Sequence, residues 1–582
     1  MALTKKIHIG EMLLEHKLIT HEQLDKAVAQ QNATGGKLGQ VLIDLGYISE
    51  EKLLELLAQQ LKIPYVDLKT YTFVPEVVQL LPELYARNLR AIVLAKESTA
   101  LLVGMADPQN LLAQDELSRV LGSSIRVALV RELDLIKSFD ALYRHATEII
   151  QFAEELSEEI TRSDYDVEQL SVGLSTSDAP VVRLLETIFE DAVQVHASDI
   201  HIEPREHGLG IRHRVDGILH EQIIKETQVA PALTLRLKLM AGLNITEKRL
   251  PQDGRFSMKI HEKNFDVRLS TMPVQYGESV VMRLLNQSAE SFGMERVGLP
   301  AYLLTVIRRI ITMPNGLLLV TGPTGSGKTT TLYGILHELN KPDKKIISVE
   351  DPVEYRMARI NQVQVNARID LSFARVLRAV LRQDPDIILV GELRDSETVA
   401  MAMRASMTGH FVMSTLHTND SISSAIRLLD MGAEGFLVAT ILRAVLAQRL
   451  VRRVCPDCVE IHQPTAEEKV WLSTVPNYSA EGKTFYKGLG CTYCHNTGYK
   501  GQIGVFEFLE ITPYLAEMLR LKDTAEFNNA ARHSPQFRPL ILSGMDLVDE
   551  GTTTISEMIR IMGESLVTTQ AYAPSEKSHA NL

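Results

Sequence analysis

The run Gly322-Pro-Thr-Gly-Ser-Gly-Lys328-Thr329 fits the pattern G-x-x-x-x-G-K-[ST] and leaves few folds open to the chain around it. The preceding Leu317-Leu318-Leu319-Val320 reads as a buried parallel strand, and Thr330-Thr331-Leu332-Tyr333-Gly-Ile335-Leu336 as the first turns of a helix. A chance Gly-rich loop would not come with both flanks. Gly322, Gly325 and Gly327, with Pro323, Thr324 and Ser326 between them, let backbone N–H groups close around phosphate oxygens, and the helix N-terminus adds its dipole. Lys328 would reach the β and γ phosphates, and Thr329, with Thr330 beside it, would stand at Mg²⁺. The stretch predicts binding of a nucleoside triphosphate, ATP with Mg²⁺.

At 582 residues the chain is too long for one core and divides into several domains. Hydrophobic residues at 45% and charged residues at 23% are ordinary for globular protein, and a net charge of −12 argues against a broad nucleic-acid-binding surface. No apolar run approaches the length of about 18 residues that a membrane span needs, and the first ten residues have no signal-peptide core, so the expected location is cytoplasmic.

The first sixty residues repeat themselves. Residues 8–31 realign without gaps on residues 37–60, His8-Ile9-Gly10-Glu-Met-Leu13-Leu14 on Lys37-Leu38-Gly39-Gln-Val-Leu42-Ile43, and Leu24 and Gln31 on Leu53 and Gln60. Each unit reads as a short apolar helix, a turn and a capped helix, with Thr20 and Ser49 as N-caps and Gln23 completing a capping box. On the residues alone, a duplicated helical hairpin that docks a partner and one that binds a ligand are both open. Residues 1–145 form the N-terminal domain, its second half a small α/β unit with strands at Ala91–Ala95 and Ala100–Met105. Residues 146–177 are acidic, hold Arg162 alone among basic residues and end in Ser-Val-Gly-Leu-Ser-Thr-Ser, which predicts a mobile linker.

A second α+β domain spans 178–290, opening on a helix after Asp178-Ala-Pro180 and continuing in alternating strands with an Asp216-Gly217 hairpin turn. From 298 to 453 apolar strands alternate with helices, which predicts a parallel sheet covered on both faces, with ligands at the strand ends. Three acid- or histidine-bearing segments follow such strands: Glu350-Asp351-Pro-Val-Glu354, Gly391-Glu392-Leu-Arg-Asp395, and Thr408-Gly-His410 through Thr415-Leu-His417. Hydrolysis needs one carboxylate to orient or deprotonate the water and another at the metal shell. Glu354 is assigned the first role and Glu392 the second. His417, and secondarily His410, would sense the γ-phosphate. Arg378 and Arg382 lie four apart, as a subunit-bridging pair or as an ion-pair ladder with Asp384 and Asp386.

Cys455-Pro-Asp-Cys458 and Cys491-Thr-Tyr-Cys494 use all four cysteines of the chain in two C-x-x-C knuckles. Four thiolates make a closed tetrahedral shell for Zn²⁺, and a closed shell is structural. A zinc module is placed at 454–510, small helices at 511–566, and a polar, disordered tail at 567–582.

These motifs, in this order, resemble the ATPases of type II secretion and type IV pilus assembly over roughly residues 180–510. The resemblance implies an α/β multidomain chain with a RecA-like core, a homohexamer, and peripheral attachment to an inner-membrane platform protein, while the acidic balance and the lack of a basic-aromatic pattern speak against a nucleic acid partner. It also implies that Arg268 and Arg283 match family arginines that reach a nucleotide phosphate. The tandem repeat is similar to the cyclic di-GMP-binding motif of the MSHA-pilus branch. Carried over, that motif gives His8, Ile9, Gly10, Leu13, Leu14, Leu24 and Gln31 in the first unit, and Lys37, Leu38, Gly39, Leu42, Ile43, Gly46, Leu53 and Gln60 in the second. His8 and Lys37 stand where the branch has arginine, and Lys17 where the second unit has Gly46. Neither replacement offers a planar guanidinium fork. The expected function is a pilus-extension ATPase regulated by cyclic di-GMP, with a type II secretion ATPase whose repeat only docks a membrane partner as the alternative.

Overall fold

The computed structural model describes residues 12–570 apart from 15, 35–37, 70, 72, 98, 143–145, 163–178, 261–262 and 287–292. His8, Ile9, Gly10 and Lys37 lie outside the described residues. The chain divides into two bodies, residues 1–147 with 490–497, and residues 148–489 with 498–582.

In the first body the sequence repeat is a repeat of backbone geometry. Lys17 N–H donates to Leu14 O at 3.0 Å and Leu18 N–H to Leu13 O at 3.0 Å, while Gly46 N–H donates to Ile43 O at 2.8 Å and Tyr47 N–H to Leu42 O at 3.0 Å. Both turns pivot on a left-handed residue, Lys17 at φ 54° and Gly46 at φ 70°. Glycine adopts that conformation freely and lysine does so under strain, so the first unit keeps the turn at a cost the second avoids. Helix α1 (His21–Thr34) starts at the expected capping box, Thr20 N–H donating to Gln23 Oε1 at 2.8 Å and Gln23 N–H to Thr20 Oγ1 at 3.3 Å. Helices α2 (Leu38–Asp44) and α3 (Glu50–Leu61) complete the second unit. Leu13, Ile19, Ala27, Leu42, Leu53 and Leu56 form their common core. A separate core gathers around strands β1 (Ala91–Lys96), β2 (Leu101–Met105) and β3 (Ile125–Leu129), paired in that order.

Helix α4 (Ala146–Arg162) leads into the second body and corrects the expected linker over 146–162, while 163–177 lie outside the described residues. Its acidic surface hides an apolar stripe, and Ile149, Ala153 and Leu156 are buried in the same core as helices α5 (Pro180–Gln194) and α6 (Val229–Met240). Spacings of four and three residues put that stripe on one helix face. The core backs a six-stranded antiparallel sheet of β4 (Asp199–Arg205), β5 (Gly208–Val215), β6 (Ile218–Ile224), β7 (Gln252–Ile260), β8 (Lys263–Val274) and β9 (Gly277–Asn286), in the order β6-β5-β4-β9-β8-β7. Asp216 at φ 48° and Gly217 at φ 84° form the β5–β6 hairpin.

A seven-stranded sheet runs β12-β11-β13-β14-β10-β15-β18, with β10 (Gly316–Thr321), β11 (Ile346–Glu350), β12 (Ile360–Gln364), β13 (Ile387–Val390), β14 (Phe411–Leu416), β15 (Leu442–Val454) and β18 (Tyr499–Glu510). All neighbours pair in parallel except β15 with β18. Along β10, Leu317 and Leu319 join one core and Leu318 and Val320 the other, so the continuous apolar run serves both faces. One face carries α7 (Lys328–Leu339), and the other α8 (Phe373–Val380), α9 (Ser396–Met407) and α10 (Ser421–Asp430). β18 is an edge strand of this sheet, so the segment expected as one zinc module, 454–510, ends inside the core fold. Between β15 and β18 lies a two-stranded ribbon, β16 (Val459–His462) with β17 (Phe485–Gly488). Helices α11 (Leu540–Asp549) and α12 (Ile555–Gln570) close the described chain, and α12 carries helix into what was expected to be a disordered tail.

Candidate active site at the carboxyl ends of the parallel strands

The phosphate loop leaves β10 at Gly322, whose φ is 146°, and a Cβ there would sit 2.4 Å from Gln448 O of β15. No residue but glycine fits. Gly325 and Gly327 also have positive φ, 78° and 86°, and Gly327 is the N-cap of α7. Lys328 is buried and folds back over the loop, its Nζ donating to Gly322 O at 2.8 Å and Pro323 O at 2.9 Å. Ser326 is buried within the loop, while Thr329 and Thr330 are exposed at its mouth. Thr331 Oγ1 donates to Gln448 Oε1 at 2.7 Å and ties α7 to β15.

Burial lowers the pKa of the Lys328 ammonium to about 8, with Glu392 opposing and Arg449 adding to the shift. A lysine depressed in this way is charged below that pH and loses its proton as pH rises through it. Phosphate binding needs the charge. ATP affinity is therefore expected to be level up to about pH 8 and then to fall by up to about tenfold per pH unit. Nucleotide titrations between about pH 7 and about pH 9.5 check this, and an affinity level across that range would contradict it.

The acids arrive at the same edge of the sheet. Glu392 follows β13 and pairs with Arg394, and His417 Nε2, just past β14, stands 3.3 Å from Glu392 Oε2. Arg394 Nη1 also reaches Asp351 Oδ2 at 3.2 Å. Glu354 is held by Arg268 of β8, Nη2 to Oε2 at 2.8 Å, and the same Nη2 donates to Val353 O at 2.8 Å. Glu350 lies deeper. It accepts hydrogen bonds from Tyr333 Oη of α7 at 2.5 Å and Ser348 Oγ at 2.5 Å, and burial pushes its pKa up against those donors. Tyr355 N–H in turn donates to Tyr333 Oη at 3.5 Å. The first helix after the phosphate loop thus props the acidic segment that carries Glu354.

Three expectations come out differently. His410 precedes β14, its Nδ1 donating to Ala405 O at 2.8 Å at the amino end of the strand, whereas His417 follows the carboxyl end. It is thus placed away from the site. Arg283 sits directly opposite Arg268 in the β8–β9 register, but its Nε is held by Asp199 Oδ1 at 3.0 Å. Only Arg268 of the two contacts the acidic segment. Arg378 pairs with Glu397, and Arg382 donates to Arg378 O at 2.7 Å, so the ladder with Asp384 and Asp386 does not form. The sequence reading gave no role to Tyr333, Arg394 or Glu350. Arg394 stands two residues from Glu392 inside a segment already singled out, and that proximity was the available signal.

The sulfur atoms of Cys455, Cys458, Cys491 and Cys494 all lie within 4.8 Å of one another. Four thiols gathered this closely, three of them buried, fit a tetrahedral zinc, which these residues would hold as a closed structural shell. Cys458 O accepts from Leu489 N–H at 3.0 Å and Cys455 N–H donates to Gly498 O at 3.0 Å. A Cβ on Gly488 would lie 2.0 Å from Gly498 O, so the crossing beneath the first knuckle needs glycine.

In the repeat, Leu13 and Leu42 are fully buried and serve packing. Leu14, Leu24, Gln31, Leu38, Gly39 and Ile43 are half-buried, Gly46 and Gln60 are exposed, and Leu53 is buried against Gly39.

A family model described as "Type II/IV secretion system protein" matches residues 175–560, two-thirds of the chain, and a second, "MshEN domain", matches residues 61–149. The chain belongs to the type II/IV secretion system protein family. It is 38% identical over 555 residues to the type IV pilus assembly ATPase PilB of Myxococcus xanthus, covering 95% of this chain and 98% of that one. It is 44% identical over 393 residues to the type II secretion system ATPase E of Vibrio cholerae, covering 67% and 77%. Among solved structures, one described as MshE with cdg is 38% identical, spans 24% of this chain and 99% of that one, and superposes with a TM-score of 0.22. This chain is an ATPase of the secretion and pilus assembly class, with a RecA-like core. No helix among the described residues is long and apolar enough to cross a membrane.

Proposed function

We propose that this chain is a hexameric motor that uses Mg²⁺·ATP hydrolysis to extend a type IV pilus of the MSHA type, under control of cyclic di-GMP. The observation that carries the pilus reading is the tandem repeat, whose two turns share one hydrogen-bond pattern 29 residues apart. The MshEN match over 61–149 supports it. ATP binds with its phosphates at Gly322–Thr329 and Mg²⁺ at Thr329, Glu392 holds water on the metal side, and Glu354 accepts the proton of the attacking water. Arg268 carries the second α+β domain to that chemistry, with Arg283 behind it, and His417 registers the γ-phosphate through Glu392. The work is delivered at the cytoplasmic face of the inner membrane through a platform protein.

A second reading keeps the motor and changes the repeat. In a type II secretion ATPase the repeat only docks a membrane partner, and His8 and Lys37 in the places of arginine favour it. Calorimetric titration of the full chain with cyclic di-GMP separates the two, with steady-state ATPase followed in parallel. Saturable heat and a changed turnover are expected. No heat at micromolar protein would leave the secretion reading standing.

A further inference from the structure

Strand β15 runs past the end of its partner. Its parallel register with β10 reaches Ala447 opposite Thr321. Gln448 and Arg449 therefore continue beside the phosphate loop, and Gln448 is already engaged there with Gly322 and Thr331. Arg449 points to the opposite face from Gln448, because side chains alternate along a strand. That face is the one packed with Val445 and Ala425 of α10. The arginine is 9% exposed. Its Nη2 donates to Asn419 Oδ1 at 2.9 Å, in the loop two residues after His417, while Nη1 is buried without a hydrogen-bond partner.

A buried guanidinium is costly unless its donors are met. The nearby acids do not meet this one. Glu507 accepts from Ser421 N–H at 2.8 Å, Ser421 Oγ at 2.6 Å and Leu540 N–H at 3.1 Å, and Asp420 accepts from Ser423 N–H at 2.7 Å as the N-cap of α10. The neighbour on the loop side is another cation, Lys328, which Arg449 helps to hold at a lowered pKa after burial itself. In the loop, the Ser326 hydroxyl is likewise buried without a partner. Glu392 acts on Lys328, and Asp420 and Glu507 on Arg449, but Arg449 Nη1 and the Ser326 hydroxyl are left without a hydrogen-bond partner beside the phosphate loop, and such donors are complementary to a polyanion.

We infer that Arg449 is a second phosphate-binding cation of the nucleotide site, donating Nη1 to a phosphate oxygen of the bound triphosphate while Nη2 holds the loop that follows His417. The inference rests on the placement of ATP at Gly322–Thr329. One guanidinium then links the phosphates to the histidine segment. An ammonium in its place is a single point of charge without the span of the guanidinium fork, so the two links are separable by substitution.

The test measures ATP dissociation constants, KM and kcat for Arg449→Met, Arg449→Lys and Asn419→Ala, with Lys328→Ala as control and thermal melting to establish folding. Arg449→Met is expected to weaken ATP binding by roughly tenfold to a hundredfold, the size of one charge-assisted hydrogen bond. Arg449→Lys is expected to recover KM while kcat stays low, and Asn419→Ala to lower kcat at unchanged affinity. A folded Arg449→Met that binds ATP as the parent does overturns the inference. Should that variant not fold, an Arg449→Lys chain with parental KM and kcat overturns it. If Lys328→Ala also binds ATP normally, it is the placement of the nucleotide that has failed.

Discussion

Replacing Glu354 by glutamine should lower kcat for ATP hydrolysis by about 10² to 10⁴, the usual worth of a positioned general base, while KM for ATP changes little. The substitution removes the proton acceptor and, with it, the negative partner of Arg268. Glutamine keeps a carbonyl oxygen where Glu354 Oε2 meets Arg268 Nη2 at 2.8 Å, and Arg268 also keeps Val353 O. The second α+β domain thus stays in contact with the acidic segment through Arg268 and Val353 O. Glu392→Gln gives the contrast. Glu392 pairs with Arg394 and lies 3.3 Å from His417, past the end of β13, with β14 between it and the strand that feeds the phosphate loop. If it serves the metal shell, its loss should be partly recovered by raising Mg²⁺, whereas the Glu354→Gln deficit should not respond to the metal. Steady-state turnover across a Mg²⁺ series reads both. A Glu354→Gln chain within about threefold of parental kcat would move the base elsewhere.

The phosphate loop was legible because its constraints are local. Positive φ at Gly325 and Gly327 and the closeness of Gln448 O to Gly322 act on glycines that the motif itself names. The histidines show where local reading fails. His410 and His417 bracket the apolar run Phe411–Leu416, and a six-residue strand separates its ends by about 20 Å. Only one end of a parallel strand faces the ligand, and chain direction alone would have chosen His417. Arg268 and Arg283 are cross-strand partners, and nothing in their own segments says that one meets Glu354 and the other Asp199. The 146–162 segment differs from its expectation for another reason. Its charge dominated the reading, yet Ile149, Ala153 and Leu156 keep a helical spacing that apolar periodicity would have exposed. Tyr333 lies on a helix and Glu350 on a strand, so their 2.5 Å bond had no signature in either stretch.

Removing the metal should destabilise the chain more than any single change at the ATP site. Bound zinc is expected at one ion per chain, read by elemental analysis of the purified protein, and held by Cys455, Cys458, Cys491 and Cys494. Structural zinc contributes its binding energy to folding, about 10 kcal/mol or more in small zinc domains, and here it adds to an apolar core that takes in Val451 of β15, Phe485 of β17 and Val505 of β18 with Leu540 and Met545 of α11. The ribbon beneath is two strands of four residues each, β16 and β17. A two-stranded ribbon is marginal alone. β15 and β18 rise directly from the knuckles into the seven-stranded sheet, and β15 carries Gln448 and Arg449 to the phosphate loop. Cys455→Ser should therefore lower the melting temperature and zinc content together, and reduce ATP affinity as a consequence of a loosened β15. Chelation should require partial unfolding, since three of the four thiols are buried and Cys458 alone is half-exposed. A zinc-free chain with the parental melting temperature would instead make the cluster a set of packed thiols, with the sheet standing on its apolar core alone.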